Sequence, residues 1–329
     1  MKRRIFVASA GAALLGASEN PRAQGTRSTR RIGFLVTYSR ANAESFLALL
    51  RPELEQLGWI DGGNIVLLEP RTMGGDIASL PSAVGELVAE GPDVILVQST
   101  PAVRALMQAT KSIPIVMVGV GNPVELGIVA SFVKPGGNVT GSSFLANEYS
   151  GKLLEFLKEA APRLRSVAVF VAPANQHAAQ WFKKTSADAE ALGMRAQRID
   201  VSGPADFATA FASIRSAGTE SVLIPPEPTI QSSRDAIAGF AQTHRLPLAA
   251  VGGSAALPAG GLIAYGPARE EYAHLAARYV DRVLKGVKPG DLSIEQPTRF
   301  NLVINLKTAK ALGLTIPQTL LLRATELIQ

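Results

Sequence analysis

The chain has 329 residues, a formal charge of +6 at neutral pH and no cysteine. The missing cysteine excludes disulfides, thiolate chemistry, cysteine metal sites and the lipidated cysteine that tethers many exported proteins to a membrane. Basic residues are scattered, with Arg30-Arg31 and Lys183-Lys184 the only adjacent pairs after the first four residues, so no nucleic acid is expected as a partner, because that class needs a basic face or stripe.

Lys2, Arg3 and Arg4 open the chain, Ile5 to Ala17 is a short run of mostly small and apolar residues, and Arg22-Ala23-Gln24 offers a cleavage point. This anatomy predicts a signal peptide over 1–23, too short for a membrane span of about 20 residues. Arg3-Arg4-Ile5-Phe6-Val7 also resembles a twin-arginine signal, and an ordinary secretory route stays open beside it. Cleavage removes Lys2, Arg3, Arg4 and Arg22 together with Glu19, which lowers the balance from +6 to +3. No later stretch reaches 18 uninterrupted apolar residues. A soluble protein, free in the periplasm, is the expectation.

Beyond the leader one pattern is written twice. Strands are predicted at Ile32–Val36, Ile65–Glu69, Val94–Val97, Ile115–Val118 and Val139–Ser142, several of them continuous apolar runs that suit a parallel sheet covered on both faces. Phe46, Leu49, Leu50, Leu54 and Leu57 mark one intervening helix that Gly58 ends, and Leu80, Val84, Leu87 and Val88 mark a second after Asp76. The pattern restarts at Val167–Val171, with strands following at Arg198–Val201, Val222–Ile224 and Leu248–Val251. Helices are predicted at Ala178–Leu192, Pro204–Ser216 and Thr229–Thr243. A strand at Leu262–Tyr265, a helix at Glu271–Lys285, an extended Arg299–Leu306 and a short terminal helix complete the chain. The alternation predicts an α/β protein of two doubly wound lobes with a ligand cleft and a hinge. The expected domains are 31–145 plus about 267–290 for the first lobe and 146–266 plus about 291–329 for the second, since the tail is too short to form a third.

Four stretches carry a family resemblance. They are Ile113-Pro114-Ile115-Val116 through Gly121-Asn122-Pro123-Val124 to Val129–Gly141; Gly260-Gly261-Leu262-Ile263-Ala264-Tyr265-Gly266-Pro267; Ala277–Gly286; and Asn301-Leu302-Val303-Ile304-Asn305-Leu306-Lys307-Thr308-Ala309-Lys310-Ala311-Leu312-Gly313-Leu314-Thr315-Ile316-Pro317. In this order they resemble the exported substrate-binding proteins of ABC transporters, the group with the tryptophan- and tyrosine-binding uptake components. The resemblance implies a periplasmic binding protein of type I, with a small molecule closed between two lobes joined by three crossings and delivered to a membrane permease. Relatives commonly carry aspartate where this chain has Asn122, so an ammonium counter-charge is missing there.

In open α/β sheets ligands sit beyond the carboxyl ends of strands, where loops and helix N-termini present free N–H groups. The candidate ligand residues at those ends are Thr37, Tyr38 and Ser39; Ser99 and Thr100; Gly121 and Asn122; Ser142, Ser143 and Phe144; then Asn175, Glu227 and Tyr265. Ser39, Ser99 and Asn175 also suit plain helix N-caps. Hydroxyls and helix N-termini can receive a carboxylate, and Tyr38, Phe144 or Tyr265 can stack on a flat ring.

Catalytic readings find less. Gly119-Val120-Gly121 lacks the third glycine of a dinucleotide fingerprint, and Pro123 follows too soon. His177, His244 and His274 lack metal-ligand spacing. A monomeric binding protein without cofactor or metal is expected, with an exported enzyme on the same scaffold as the alternative.

Overall fold

A computed structural model describes residues 29–329 apart from 145, 176–177 and 254–255, together with all their side chains except those of 144 and 146–148. The expected leader, and His177, lie outside the described residues.

Strand β1 (Arg30–Val36) leads into α1 (Arg40–Gln56), whose first turn is capped by Ser39 accepting from the Asn42 amide. Then come β2 (Ile65–Leu67), β3 (Arg71–Thr72), α2 (Leu80–Ala89), β4 (Val94–Gln98), α3 (Thr100–Ala109), β5 (Ile115–Gly121) and β6 (Val139–Phe144). These strands form one sheet in the order β2-β1-β4-β5-β6, with β3 beside β1 and every pair parallel.

The chain then enters a second body through α4 (Ala146–Ala160), β7 (Ser166–Val171), α5 (Ala178–Ala191), β8 (Arg195–Asp200), α6 (Phe207–Ser216) and β9 (Val222–Ile224). It continues through α7 (Pro228–Ser232), α8 (Arg234–Thr243), β10 (Leu248–Val251) and β11 (Ile263–Pro267), returns as α9 (Arg269–Leu284), and finishes with β12 (Phe300–Asn305), α10 (Leu306–Leu312), α11 (Gln318–Leu321) and β13 (Glu326–Ile328). The second sheet runs β13-β12-β11-β10-β9-β7-β8, and only β11 and β12 pair antiparallel. The molecule is therefore two α/β lobes.

Each sheet is covered on both faces, which is why its strands read as unbroken apolar runs. In the first lobe Ile32, Phe34 and Val36 pack with Phe46, Leu50 and Leu54 of α1 and Tyr279 and Val280 of α9. Leu35, Ile95 and Val97 face the other way, onto Leu87 of α2 and Leu106 of α3. In the second, α4 and α5 cover one face through Leu153, Leu157 and Trp181, and α6 and α8 cover the other through Ile214 and Ile237.

The chain crosses between lobes after β6, between β11 and α9, and between Glu295 and β12. The last crossing is tied down. Buried Glu271 on α9 accepts from the Thr298 amide and hydroxyl and pairs with Arg299. Burial alone would raise this carboxyl, but Arg299 and the Thr298 bonds outweigh it and leave it below its ordinary range.

A β-bulge shapes the first lobe's edge of the gap. The register of β5 against β6 shifts between Met117 and Val120. Gly141 has φ +127°, and a Cβ there would lie 2.1 Å from the Met117 carbonyl oxygen, so glycine is required. The Ser142 hydroxyl accepts from the Gly119 amide at 3.1 Å and holds the bulge open.

Candidate ligand-binding cleft

The carboxyl ends of β1, β4 and β5 face those of β7, β9 and β10 across a cavity of about 510 Å³. It is of a size that suits a small organic molecule. Its walls are laid down by both lobes. Tyr38, Ser39, Ser99, Thr100, Gly121 and Asn122 come from the first, and Asn175 and Glu227 from the second, so eight of the expected positions meet in one space.

Two of them hold strained backbone. Among the described residues only Ser99 (φ +85°), Asn122 (φ +46°) and Arg245 are non-glycine residues with left-handed φ. Ser99 and Asn122 both line the cavity. Such conformations cost of order 1–3 kcal/mol each and cluster where function over-determines them. Ser99 sits at the N-cap of α3, yet its side chain caps nothing, and its buried hydroxyl has no partner among the described residues. Pro101 occupies the first turn, where its missing N–H costs nothing. The positive end of α3 thus opens on the cavity uncapped. Asn122 donates its side-chain amide to Glu125 at 3.1 Å.

Glu227 faces this wall from the second lobe. It is the N-cap of α7, accepts from the Ile230 amide at 3.2 Å, and is 7% exposed. Burial outweighs the backbone bonds and pushes its carboxyl up to about 7. No cation lies within ion-pair distance of it among the described residues. Tyr38 bridges the lobes, its hydroxyl 3.5 Å from the Pro226 carbonyl, and burial followed by the Glu227 charge holds that hydroxyl protonated.

Four expected positions lie away from the cavity wall, for identifiable reasons. Tyr265 points into the second lobe's core, with Phe156 at 5.2 Å and Phe300 at 5.9 Å between ring centroids. Thr37, just past the end of β1, and Ser143 within β6 are fully buried, and Ser142 braces the bulge instead of facing the gap. Phe144 ends β6, and its side chain lies outside the described residues. In their place the cavity takes Trp181, Tyr272, Gln231, Arg234 and Arg269. Four of them lie in the first turn or two of helices that follow strand ends, one turn beyond the loops where sequence reasoning looked, and Arg234 opens α8 directly after α7. The Trp181 indole N–H is buried without a partner among the described residues. No cluster of potential metal ligands occurs among the described residues.

Two α/β lobes with strand ends and an uncapped helix turned toward a shared cavity define a ligand-capturing protein of the two-lobed binding-protein class. The comparisons agree. Residues 51–328 match the family of ABC transporter substrate binding proteins, and the chain belongs to that family. A tyrosine-binding protein of Clostridioides difficile is 28% identical over 263 residues, covering 79% of this chain and 74% of that one. A Streptococcus pneumoniae ABC domain solved in complex with L-Trp superposes with a TM-score of 0.82 at 25% identity, over 92% of this chain and 100% of that one. A conserved domain protein of Vibrio cholerae gives 0.82 at 26% identity, over 91% and 99%. The function is that of the substrate-binding component of an ABC transporter, whose partners are a small ligand and the transporter itself. Its relatives are binding proteins and not enzymes.

Proposed function

We propose that the protein captures a small carboxylate-bearing molecule with a flat or apolar body between its lobes and hands it to a membrane permease. The observation that carries this is the strained, uncapped start of α3, where Ser99 and Thr100 offer a hydroxyl and helix-end N–H groups to an anion. Tyr38, Trp181 and Tyr272 supply flat faces for the body, and Gly121, Asn122 and Asn175 polar edges. Glu227 is the acid available to a donor or cationic group of the ligand. The tryptophan and tyrosine named for two relatives fit this chemistry, although Asn122, already bonded to Glu125, brings no charge to an ammonium.

The working protein in this reading is a periplasmic monomer exported by the leader 1–23. One lobe is built from 31–145 with about 267–290, the other from 146–266 with about 291–329.

A thermal-shift screen of amino acids beside simple carboxylates, aromatics and nucleosides tests it, because a specific ligand raises the melting temperature by mass action. Carboxylates are expected among the hits, with binding weakened by Thr100→Ala. Hits confined to compounds without an anionic group would refute the carboxylate reading.

A further inference from the structure

The cavity holds charge that a single carboxylate at α3 leaves unused. Arg269, at the start of α9 in the first lobe, and Arg234, at the start of α8 in the second, both line it. Arg269 is half-buried, and among the described residues its guanidinium donates only to neutral oxygens: the Ser45 hydroxyl at 3.2 Å and the Asn42 carbonyl at 3.1 Å. Among the described residues no carboxylate lies within 4.0 Å of it. A guanidinium has five N–H donors, so more than half of them remain to be used. Among the described residues the one carboxylate within ion-pair distance of Arg234 is Asp235, also on the cavity wall, at 3.9 Å and with its side chain 86% exposed.

The two arginines also act on each other. Burial, and then the Arg234 charge, weaken Arg269's hold on its proton, partly offset by Glu270. Closing the lobes therefore brings two cations together across a gap whose lining acids, Glu227 and Asp235, leave Arg269 without an ion pair among the described residues and Arg234 with only the long contact to exposed Asp235. Like charges so placed oppose closure, and an anion between them reverses the sign.

We propose that Arg269 and Arg234 form a second anion subsite that straddles the cleft, so that the preferred ligand carries a second oxyanion group, a carboxylate or a phosphate, at the end away from α3. This rests on the carboxylate reading of α3 given above. Arginine forks bind either group bidentately. The subsite links recognition to closure, because a dianion alone completes both lobes' charges at once.

Titration calorimetry with benzoate, terephthalate and 4-carboxyphenyl phosphate on the full protein tests it. In the unmodified protein at least one dianion is expected to bind about tenfold to a hundredfold more tightly than benzoate, the range for a charge-assisted hydrogen bond. That preference should collapse in Arg269→Gln and in Arg234→Gln, with benzoate affinity little changed. Equal affinities for all three probes, or a preference that survives both substitutions, overturns the subsite and leaves the α3 reading intact. If no probe binds at millimolar concentration the α3 reading fails, and scattering of the ligand-free protein then decides the arginine pair. Arg234→Gln should give a smaller radius of gyration than the unmodified chain, through lost repulsion, and an unchanged radius overturns the proposal.

Discussion

Ser99 has a backbone that glycine would adopt freely and a hydroxyl that has no partner among the described residues. Both features are costs to the ligand-free fold. Ser99→Gly is expected to stabilise the protein by about 1 kcal/mol or more through relief of strain, and to weaken carboxylate binding. Ser99→Ala should weaken binding without the gain, because it keeps a Cβ at φ +85°. Urea denaturation of both variants beside ligand titration checks the pair, and a Ser99→Gly protein no more stable than Ser99→Ala would contradict it. Glu227 makes a second residue-scale prediction with a definite sign. Its carboxyl is raised from 4.5 to about 7. Across that window the folded chain keeps a proton that the unfolded chain has released, so this group's contribution to stability falls as pH rises and is constant above the window. The shift corresponds to about 3 kcal/mol. Glu227→Gln should therefore gain stability over the unmodified protein at pH 8 and little or none at pH 5. Equal differences at the two pH values would show that the buried carboxyl is not shifted.

At the level of elements, the lobes meet where the loop after β3 touches α7. A Cβ on Gly75 would lie 2.4 Å from the Ser232 hydroxyl and 3.3 Å from the Pro228 carbonyl, so this seat admits no side chain. Ser232 itself is exposed. Ser232→Phe should wedge the lobes apart, lowering ligand affinity at least tenfold while the melting temperature without ligand stays within a few degrees. Unchanged affinity would mean that the seat plays no part in closure. Gly141→Ala tests the bulge instead. Its Cβ would collide with the Met117 carbonyl, and a loss of about 3 kcal/mol or more is expected in urea denaturation.

Which elements were legible follows the same physics. Buried parallel strands announce themselves as apolar runs, so β1, β4, β5, β7, β9 and β10 stand close to where the sequence puts them. Helix α3 is signalled in the sequence only by Ser99 as a candidate N-cap, because Pro101 reads as a turn although it suits a first helical position. One predicted helix over Thr229–Thr243 is two, α7 and α8, broken at Ser233. The edge strands β3 and β13 are two and three residues long, too short for any periodicity. For the cleft, reasoning from strand ends reached the loops and missed Trp181, Arg269 and Tyr272. Nothing in a helical stripe shows which of its first turns faces a neighbouring lobe. Tyr265 carries the opposite lesson: a strand-end aromatic turned inward because Tyr149, Phe156 and Phe300 offered it a core.

For the whole molecule, the account rests on a cavity whose walls belong to two bodies, joined by crossings and lined with groups that neither lobe satisfies alone. Glu227 without an ion pair, the Ser99 hydroxyl and Trp181 N–H without partners among the described residues, and the facing arginines are all better served when a ligand lies between them. Binding energy of that kind exists only in the closed form, so ligand must shift the lobes toward closure. Small-angle scattering of the full protein, alone and saturated with the strongest hit of the ligand screen, tests this most directly. The account predicts a smaller radius of gyration and maximum dimension with ligand, and a lost response in Ser232→Phe. Identical profiles at proven saturation would contradict capture between the lobes.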